Sequence, residues 1–403
     1  MKQKVVIIGQ GFTGRLSIAR SVAEIGCEAI IIALVSYKKD GKTLRSHKPI
    51  DGYSKCVSRV YYCGMNDEQG LVSILLEKCA DDEQKVVIIP DNDFSAAVID
   101  KNKSVLENKF LFPRMINHQE SVIDWMDKVK QKALAKEVGL NVVESQLIEV
   151  NNGSYKIPQA INYPCFVKPL VSVVGGKSGL KRCANETALQ KHIDVVIQKY
   201  QNVKLLVEDF KTIDTEYALL GYANGNDVFI PGILQLISIA HGGHFGVAIK
   251  GEIMPVDGFE NIVELFKTFV RRVSFQGIFD IDFFLSDGIL YFGELNLRFG
   301  GSGYAYTKMG TNLPAIMVKD LKGDDVSGMM KEVDKKAVYV NERMCIDEWY
   351  SNYISIDEYY KILQSSDISF VNDANDIGPQ KALNKEFQKR RIKRTIKKCL
   401  GMH

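Results

Sequence analysis

The sequence predicts an α/β protein that begins with a parallel-sheet, Rossmann-like domain. Three continuous aliphatic runs point to that sheet, at Val5–Ile8, Ala29–Val35 and Val86–Ile89. Helix-like segments separate the runs, and wholly apolar strands of this kind are typical of a parallel sheet covered by helices on both faces. Around residues 279–297, by contrast, apolar and polar residues alternate, which indicates a half-buried sheet built from hairpins. The chain therefore combines two kinds of sheet.

Composition bounds the class of protein. The 403 residues are enough for two or three domains, and 46% of them are hydrophobic, an ordinary fraction for a globular protein. The 52 lysines and arginines nearly balance 49 aspartates and glutamates, which excludes a polycation that coats nucleic acid along its whole length. The longest wholly apolar run is too short to cross a bilayer. The eight cysteines show no Cys-x-x-Cys spacing, so we expect reduced thiols and a cytoplasmic location.

A glycine-rich turn, Gly9-Gln10-Gly11-Phe12-Thr13-Gly14, follows the first predicted strand. In a dinucleotide site, Gly-x-Gly-x-x-Gly lets the pyrophosphate approach a helix N-terminus. Such a site also needs an acidic residue about 20 residues further on, at the end of the second strand. Residues 32–36 contain no acidic side chain. A structural turn is therefore favoured, and an NAD-dependent oxidoreductase remains an alternative.

The middle of the chain predicts a helix, a strand and a loop in that order. Residues 121–138 have helical apolar spacing, and Gly139 stands where a C-cap belongs. Residues 163–169 predict a short strand that ends in Lys168-Pro169. The glycine-rich residues 171–179 that follow are typical of a mobile loop.

A hairpin at residues 279–297 carries the strongest chemical signal, and its register decides which side chains meet. The turn lies at Ser286-Asp287-Gly288. A two-residue turn would pair Asp282 with Gly293 and put Glu294 on the opposite face. A three-residue loop would instead pair Asp282 with Phe292 and bring Glu294 to the same face as Asp282.

The three-residue loop would gather Asp282, Glu294 and Asn296 on one face, joined by Arg298 if the strand continues. Two carboxylates, an amide oxygen and a guanidinium are costly to hold together unless a cation and an anion bind there. Hard oxygen ligands suit Mg²⁺ that bridges nucleotide phosphates, and Arg298 suits a phosphate or carboxylate. The alternative is the solvated polar face of an edge hairpin.

In motif order, the sequence resembles the ATP-grasp superfamily, whose members include biotin carboxylase, the carbamoyl-phosphate synthetase halves and D-alanine–D-alanine ligase. The resemblance covers about residues 120–305. It depends on four motifs in order: Asp127-Lys128 at a helix start, Phe166-Val167-Lys168-Pro169 with its glycine loop, Val207-Glu208-Asp209-Phe210 followed by Glu216, and Asp282 followed by Glu294-Leu295-Asn296-Leu297-Arg298. We expect four regions: an N-terminal domain at 1–115, a lid-bearing subdomain at 116–205, a subdomain with the metal site at 206–330 and an appendage at 331–403.

The resemblance implies that ATP is held by residues from the first two motifs. Lys128 and Lys168 would contact its phosphates from two sides. The loop at 171–179 would close over the phosphates with its backbone N–H groups, assisted by Lys177 and Ser178.

The third motif is implied to bind the nucleoside. Glu208, Asp209 and Phe210 resemble the hinge that reads adenine. Glu216 resembles the ribose ligand, and Asp214 is an alternative because the spacing from Glu208 is one residue longer than in some relatives.

The fourth motif is implied to hold Mg²⁺ through Asp282, Glu294 and Asn296, with two ions expected and Mn²⁺ as a substitute. Arg298 and Lys168 would be catalytic, because negative charge accumulates on the transferring oxygens. The implied reaction phosphorylates a carboxylate with ATP, and an amine then displaces phosphate to form an amide. We therefore expect small-molecule carboxylate and amine substrates. A nucleotide-binding regulatory protein without ligase chemistry is a further alternative.

Two features lie outside these motifs. His241-Gly242-Gly243-His244 is either a metal-binding pair or, as we favour, a hairpin loop near the substrate. Residues 381–403 carry nine basic side chains against one acid, and Ile392, Ile396 and Leu400 recur every four residues. This pattern predicts a basic helix docked on the body, with contact to an anionic membrane surface as the alternative and no nucleic-acid binding expected. A homodimer is a further expectation.

Overall fold

The computed structural model describes residues 2–36, 48–117, 119–171, 180–225, 227–241 and 246–399. The N-terminal domain is built on a five-stranded sheet in which all neighbouring strands are parallel. Its elements are β1 (Lys4–Gly9), α1 (Phe12–Ala23), β2 (Glu28–Val35), β3 (Val57–Gly64), α2 (Glu68–Ile74), β4 (Val86–Pro90), α3 (Asp93–Lys101), α4 (Lys103–Leu106) and β5 (Phe110–Leu111).

Both faces of this sheet are covered, as predicted. Val5 and Ile7 of β1 belong to one apolar core, whereas Val6 and Ile8 belong to another, and all four side chains are fully buried. The three aliphatic runs lie in β1, β2 and β4, so the parallel α/β prediction is confirmed. The strand order β3-β2-β1-β4-β5 reverses between β1 and β4, and such a reversal opens a crevice at the carboxyl ends of these strands.

A second, smaller sheet follows the N-terminal domain. The elements from here are β6 (Arg114–Met115), α5 (Lys128–Glu137), β7 (Ser145–Val150), β8 (Cys165–Pro169), β9 (Lys181–Cys183), α6 (Glu186–Lys199) and β10 (Val203–Asp209). The antiparallel sheet has the order β7-β10-β8-β9, and α6 packs against its apolar face. The expected domain boundary after residue 205 falls inside β10, which pairs with both β7 and β8.

The helix predicted at 121–138 begins later than its apolar spacing indicated. Residues Asp124–Met126 form a short 3₁₀ turn, and α5 begins at Lys128. The Asp127 carboxylate accepts hydrogen bonds from the backbone N–H groups of Val129 and Lys130, at 2.8 and 3.1 Å. This N-cap starts a new helix, as the Asp127-Lys128 motif implied.

A third, larger sheet holds the predicted hairpin. The elements are β11 (Thr215–Asn224), β12 (Val228–Phe229), β13 (Ile233–Ile239), β14 (Ala248–Met254), α7 (Glu260–Val273), β15 (Phe275–Ser286), β16 (Ile289–Asn296), α8 (Tyr304–Lys308), α9 (Leu313–Leu321), β17 (Ala337–Val340), α10 (Glu342–Tyr350), α11 (Ile356–Gln364), β18 (Ile368–Ser369) and α12 (Ile377–Cys399). The strand order is β16-β15-β11-β13-β14-β17-β18, with β12 beside β11 and β6 beside β15. The appendage therefore extends this sheet with β17 and β18.

The basic end of the chain forms α12, as predicted, and the first half of this helix docks on the body. Leu383 and Phe387 are buried, and the Phe387 ring contacts Trp349 edge to face at 5.0 Å. Further along, Ile392 and Ile396 are 60% and 53% exposed. In the described part of the chain, no helix is both long and apolar enough to cross a membrane.

A buried ion pair joins the two ends of the chain. Arg20 on α1 contacts Asp376 at 2.9 Å, and both side chains are nearly inaccessible to solvent. Arg20 also donates hydrogen bonds to the carbonyl oxygens of Phe370 and Val371. The segment before α12 is thereby fixed to the N-terminal domain.

Candidate active site

The hairpin predicted at 279–297 closes with a two-residue turn. Asp287 and Gly288 both have positive φ, at 50° and 74°, and Ser286 pairs with Ile289. The three-residue loop considered from the sequence, which pairs Asp282 with Phe292, is therefore wrong. Positive φ at both central residues is the geometry that matches the twist of two flanking strands.

A β-bulge at Gly293 then changes the register before the polar residues are reached. Without it, Asp282 would lie opposite Gly293, but in the structure Asp282 lies opposite Glu294. Glycine is needed here because a Cβ at residue 293 would lie only 2.8 Å from the carbonyl oxygen of Asp282. The bulge brings Asp282, Glu294 and Asn296 to one face, which is the grouping predicted, although the register that produces it was not.

Asp280 is a further acid on this face, and it was not among the predicted site residues. It lies opposite Asn296, and its Oδ2 accepts a hydrogen bond from Nη1 of Arg298 at 2.7 Å. Burial raises the pKa of Asp280 although Arg298 opposes this effect. Its Oδ1 is buried without a hydrogen-bond partner in the described residues. The available signal was its position two residues before Asp282 on a strand, which places both on one face.

Arg298 connects the hairpin to the N-terminal domain. Its Nε donates to Oδ1 of Asp93, the first residue of α3, at 3.2 Å, while Nη1 holds Asp280. Burial alone would lower the pKa of Arg298, but the charges of Asp93 and Asp280 outweigh it and raise this pKa. The guanidinium thus remains charged where the two units meet.

Asp282 is an acid whose pKa is strongly raised. The protein atoms of the cleft raise its pKa well above the ordinary value, and Asp280 and Glu294 raise it further. The Asp282 side chain is nevertheless open to solvent, so a cation can reach it. Glu294 is partly neutralised by Nζ of Lys128 at 3.0 Å.

The donor atoms at this site fit Mg²⁺. Asp282, Glu294 and Asn296 offer carboxylate and amide oxygens, the hard ligands that Mg²⁺ prefers, and the register places all three on one face. In the part of the chain that the structure describes, no three His, Cys, Asp or Glu side chains form a metal-holding group. The candidate set is therefore two carboxylates and one amide.

Three charged side chains meet beside the hairpin. Glu208, at the end of β10, ion-pairs with Nζ of Lys168 at 2.8 Å and with Lys132. Burial acts to raise the pKa of Glu208, but the two lysine charges outweigh it and hold the pKa below the ordinary value. Lys132 was not predicted. The signal was its position four residues after Lys128, on the same face of α5.

Gln131 holds α5 against the metal-site strand. Its Nε2 donates to the carbonyl oxygen of Leu295 at 2.8 Å, and its Oε1 accepts from the Leu295 N–H at 2.9 Å. This double hydrogen bond explains why Lys128 faces the hairpin while Lys132, one turn later, faces Glu208. A single helix therefore supplies cations to two sheets.

The predicted nucleoside residues are partly engaged by the chain itself. Asp214 accepts a hydrogen bond from the N–H of Asp287 at 2.9 Å, so it supports the hairpin turn. Glu216 shares the face of Asp282 on the neighbouring strand, and burial raises its pKa. The backbone N–H groups of Asp209 and Phe210 donate to Glu144 and Pro164, so only other atoms of this hinge are available to a ligand.

Other predicted residues lie outside the described part of the chain. Lys177 and Ser178 belong to 172–179, and His244 to 242–245, which the structure does not describe. His241 is described, and its Nδ1 lies 2.7 Å from Oε2 of Glu348.

The glycine-rich turn after β1 is occupied by a side chain of this protein. A Cβ on Gly9 would lie 1.4 Å from Oδ1 of Asp91, and one on Gly14 would lie 3.0 Å from Oδ2. Burial raises the pKa of Asp91 to about 7, against the opposing charges of Arg15 and Arg298. The carboxylate thus occupies the position at which a dinucleotide pyrophosphate approaches such a turn. These contacts explain why glycine is present at residues 9 and 14. The glycine-rich turn was the main observation in favour of the NAD alternative, and it no longer supports it.

Comparison with known proteins agrees with this geometry. Residues 133–314 match the family model described as ATP-grasp domain, a span that contains all the predicted site residues except Lys128. The chain is similar to formate-dependent phosphoribosylglycinamide formyltransferase of Nitratiruptor sp., with 23% identity over 298 residues that cover 73% of this chain and 69% of that protein. It is also similar to D-alanine–D-alanine ligase of Campylobacter jejuni, with 26% identity over 224 residues that cover 52% of this chain and 60% of that protein.

Among solved structures, the fold is similar to that of biotin carboxylase from Campylobacter jejuni in its β-γ-ATP complex. The TM-score is 0.63 at 15% identity, and the match covers 84% of this chain and 75% of that one. At this identity, the similarity concerns the fold.

Proposed function

Because this chain carries an ATP-grasp domain, we propose that it is an ATP-dependent, ADP-forming ligase that joins a carboxylate to an amine through an acyl phosphate. The observation that carries the proposal is that the hairpin, the region of α5 and β8, and the N-terminal domain meet at one crevice. The hairpin supplies a carboxylate face, α5 and β8 supply Lys128 and Lys168, and Arg298 contacts the N-terminal domain. Carboxylates, lysine ammonium groups and an arginine guanidinium are therefore close enough to act on one triphosphate and one carboxylate.

Lys128 and Lys168 bind the ATP phosphates in this proposal. Their ammonium groups are paired with carboxylates, at 3.0 Å from Lys128 to Glu294 and at 2.8 Å from Lys168 to Glu208. A triphosphate carries several negative charges and can share these lysines with the carboxylates. Lys168 lies at the base of the loop that contains Lys177 and Ser178, and we assign closure over the phosphates to that loop.

Glu216 is proposed as the ribose ligand in preference to Asp214. Asp214 is already bonded to the hairpin turn, whereas Glu216 lies on the metal-site face of the sheet. Glu208, Asp209 and Phe210 form the adenine hinge, and Glu208 also positions Lys132 and Lys168.

Asp282, Glu294 and Asn296 would hold Mg²⁺, with two ions expected and Mn²⁺ as a substitute. Bound Mg²⁺ supplies neutralisation of the charge that develops on the transferring phosphoryl oxygens. Arg298 is proposed to contact the acyl phosphate, because its planar fork suits bidentate recognition of phosphate and carboxylate. Asp280 keeps the guanidinium in place.

Product formation tests the proposal directly. The full chain with ATP and Mg²⁺ is incubated with formate, bicarbonate, D-alanine and the standard L-amino acids, alone and in pairs. We expect amine-dependent ADP release, with a product whose mass equals the two substrates minus water. No ADP release with any pair would refute the ligase assignment, and ADP release without a condensed product would favour another use of ATP.

The metal-site assignment is tested by the double variant Asp282→Asn, Glu294→Gln. We expect loss of at least about 100-fold in ATP turnover, because both anionic ligands are removed. Glu149→Gln is the matched control, since Glu149 pairs with Lys204 on the surface of the small sheet. Turnover within about twofold of wild type in the double variant would refute this assignment.

The two alternatives predict different observations. An NAD-dependent oxidoreductase would bind NADH tightly and change nicotinamide absorbance with substrate. A regulatory nucleotide-binding protein would bind ATP without amine-dependent ADP release. The carboxylate face of Asp282 and Glu294, with Arg298 held by Asp280 on the same hairpin, favours the ligase over both.

We also propose a cytoplasmic location, a homodimer, and peripheral contact between the end of α12 and an anionic membrane surface. The exposed Ile392 and Ile396 lie among basic residues and support that contact. Truncation at residue 380 would also remove the buried Leu383 and Phe387, so Ile392→Gln, Ile396→Gln is the sharper variant. If the variant co-sediments with phosphatidylserine vesicles as well as wild type does, the membrane contact is refuted. Light scattering, which gives the molar mass in solution, tests the dimer.

A further inference from the structure

A histidine and a glutamate form a dyad that the proposed ATP and metal residues leave unused. His241 lies two residues after the end of β13, and Glu348 lies on α10 in the appendage. The Glu348 carboxylate accepts a hydrogen bond from the backbone N–H of His241 at 2.9 Å through Oε1 and lies 2.7 Å from the ring Nδ1 through Oε2. The glutamate side chain is only 2% exposed, whereas that of the histidine is 57% exposed.

The dyad fixes the chemistry of the imidazole ring. A carboxylate can only accept a hydrogen bond, so Nδ1 of His241 must carry the hydrogen. In the neutral ring, the other nitrogen, Nε2, is then the proton acceptor, and the ring is open to solvent. The Tyr353 ring stacks on the imidazole at 4.8 Å and fixes its plane. This is the arrangement in which a buried carboxylate orients a histidine for general-base catalysis.

The location of the dyad connects it to the proposed active site. Ala240 belongs to the same apolar cluster as Leu16, and Phe12 packs against that cluster at the start of α1. Phe12 lies within the glycine-rich turn on which Asp91 rests, and Asp93, two residues after Asp91, contacts Arg298. The residue before His241 thus shares an apolar cluster with the glycine-rich turn, and on this basis we place the dyad on the side of the crevice where that turn lies.

We infer that His241, positioned by Glu348, is the general base that takes a proton from the amine substrate; the inference rests on the proposed ligase function. The amine nitrogen attacks the carbonyl carbon of the acyl phosphate. As the C–N bond forms, the bond from that carbon to the phosphate oxygen breaks, and phosphate leaves with the electron pair. The excess proton on nitrogen passes to Nε2 of His241 and from there to phosphate or solvent. Glu348 stabilises the resulting imidazolium.

Hydroxylamine separates this role from ATP chemistry. It is neutral near pH 7 and needs little help from a base, so it traps an acyl phosphate as a hydroxamate. The substrates are the amino-acid pair with the highest ADP release in the panel above. For His241→Gln at pH 7, we expect amide formation to fall about 100-fold while hydroxamate formation stays within about twofold of wild type. Higher pH should partly restore amide formation, since more of the amine is then neutral.

Glu348→Gln and His241→Gly provide independent readouts. Glu348→Gln should lower amide formation about tenfold, because the imidazole loses the carboxylate that orients it. Added imidazole should restore amide formation by His241→Gly, which a purely structural histidine would not permit. Glu252→Gln is the matched control, since Glu252 lies on β14, pairs with Lys336 and is not part of the dyad.

Three outcomes would overturn the inference. Amide formation by His241→Gln at the wild-type rate would show that no base is needed there. A parallel fall in hydroxamate and amide would place His241 in folding or ATP binding instead. If wild-type protein forms neither product, the proposed function itself fails, and the base has no reaction to serve.

Discussion

The substitution Gly293→Ala tests whether the β-bulge builds the metal site. The new Cβ would lie 2.8 Å from the carbonyl oxygen and 3.3 Å from the carbonyl carbon of Asp282, closer than unstrained contact allows. Relief requires the strands to separate by several tenths of an ångström at the pair that holds Asp282 and Glu294. Overpacking of this kind costs about 1–3 kcal/mol in the free energy of unfolding. If the strand instead slips into the register set by the turn, Glu294 moves to the opposite face and loses Lys128.

Two measurements on Gly293→Ala distinguish these effects. Urea titration gives the free energy of unfolding, and steady-state ADP release gives kcat and KM for ATP. We expect kcat to fall about tenfold for a separation of several tenths of an ångström, since a 1 Å misplacement of a catalytic group costs about 100-fold. Gly328→Ala is the control, because a Cβ at residue 328 meets open space. Unchanged stability together with unchanged kcat in Gly293→Ala would refute the role given to the bulge.

Three further predictions concern buried charges. Lys132→Met leaves Glu208 with one cation, so we expect the free energy of unfolding to fall by about 1–3 kcal/mol and KM for ATP to rise; an unchanged KM would contradict the positioning role. Arg20→Met leaves Asp376 buried without its cation, and urea titration should show a loss of about 3–5 kcal/mol, whereas a loss below about 1 kcal/mol would contradict it. The pKa of Asp91 is raised to about 7, so the folded chain binds this proton more tightly than the unfolded chain, and stability should fall as pH rises from about 4 to about 7. Asp91→Asn should remove that slope, which is at most about 1.4 kcal/mol per pH unit, and an identical pH dependence in both proteins would count against it.

Local patterns in the sequence were sufficient to predict the parallel domain and the face of the hairpin. Continuous aliphatic runs indicate a doubly covered sheet because no solvent-facing position interrupts them, and β1, β2 and β4 agree. Alternation along residues 280–296 likewise indicates which side chains share a face. The register was not predictable, since the bulge depends on how closely the backbone at Gly293 approaches that of Asp282.

Partners distant in sequence account for the residues that were missed. Lys132 matters because Glu208 comes from another sheet, and Asp280 matters because Arg298 turns back toward it after β16. The dyad of His241 and Glu348 joins a loop of the large sheet to a helix of the appendage. A charge is expensive to bury alone, so such pairs form only when the fold brings both members together, and no local pattern marks them.

The ion pair between Arg20 and Asp376 also bears on how the chain is synthesised. Arg20 leaves the ribosome before its acidic partner, which follows 356 residues later. Until then, the guanidinium of Arg20 has no carboxylate with which it can be buried. The final packing of the N-terminal domain around Arg20 must therefore wait for the segment that contains Asp376. A fragment that ends near residue 115 would therefore be an incomplete folding unit. The chain is built as a series of domains, yet the segment before its last described helix is needed to complete the packing of the first domain.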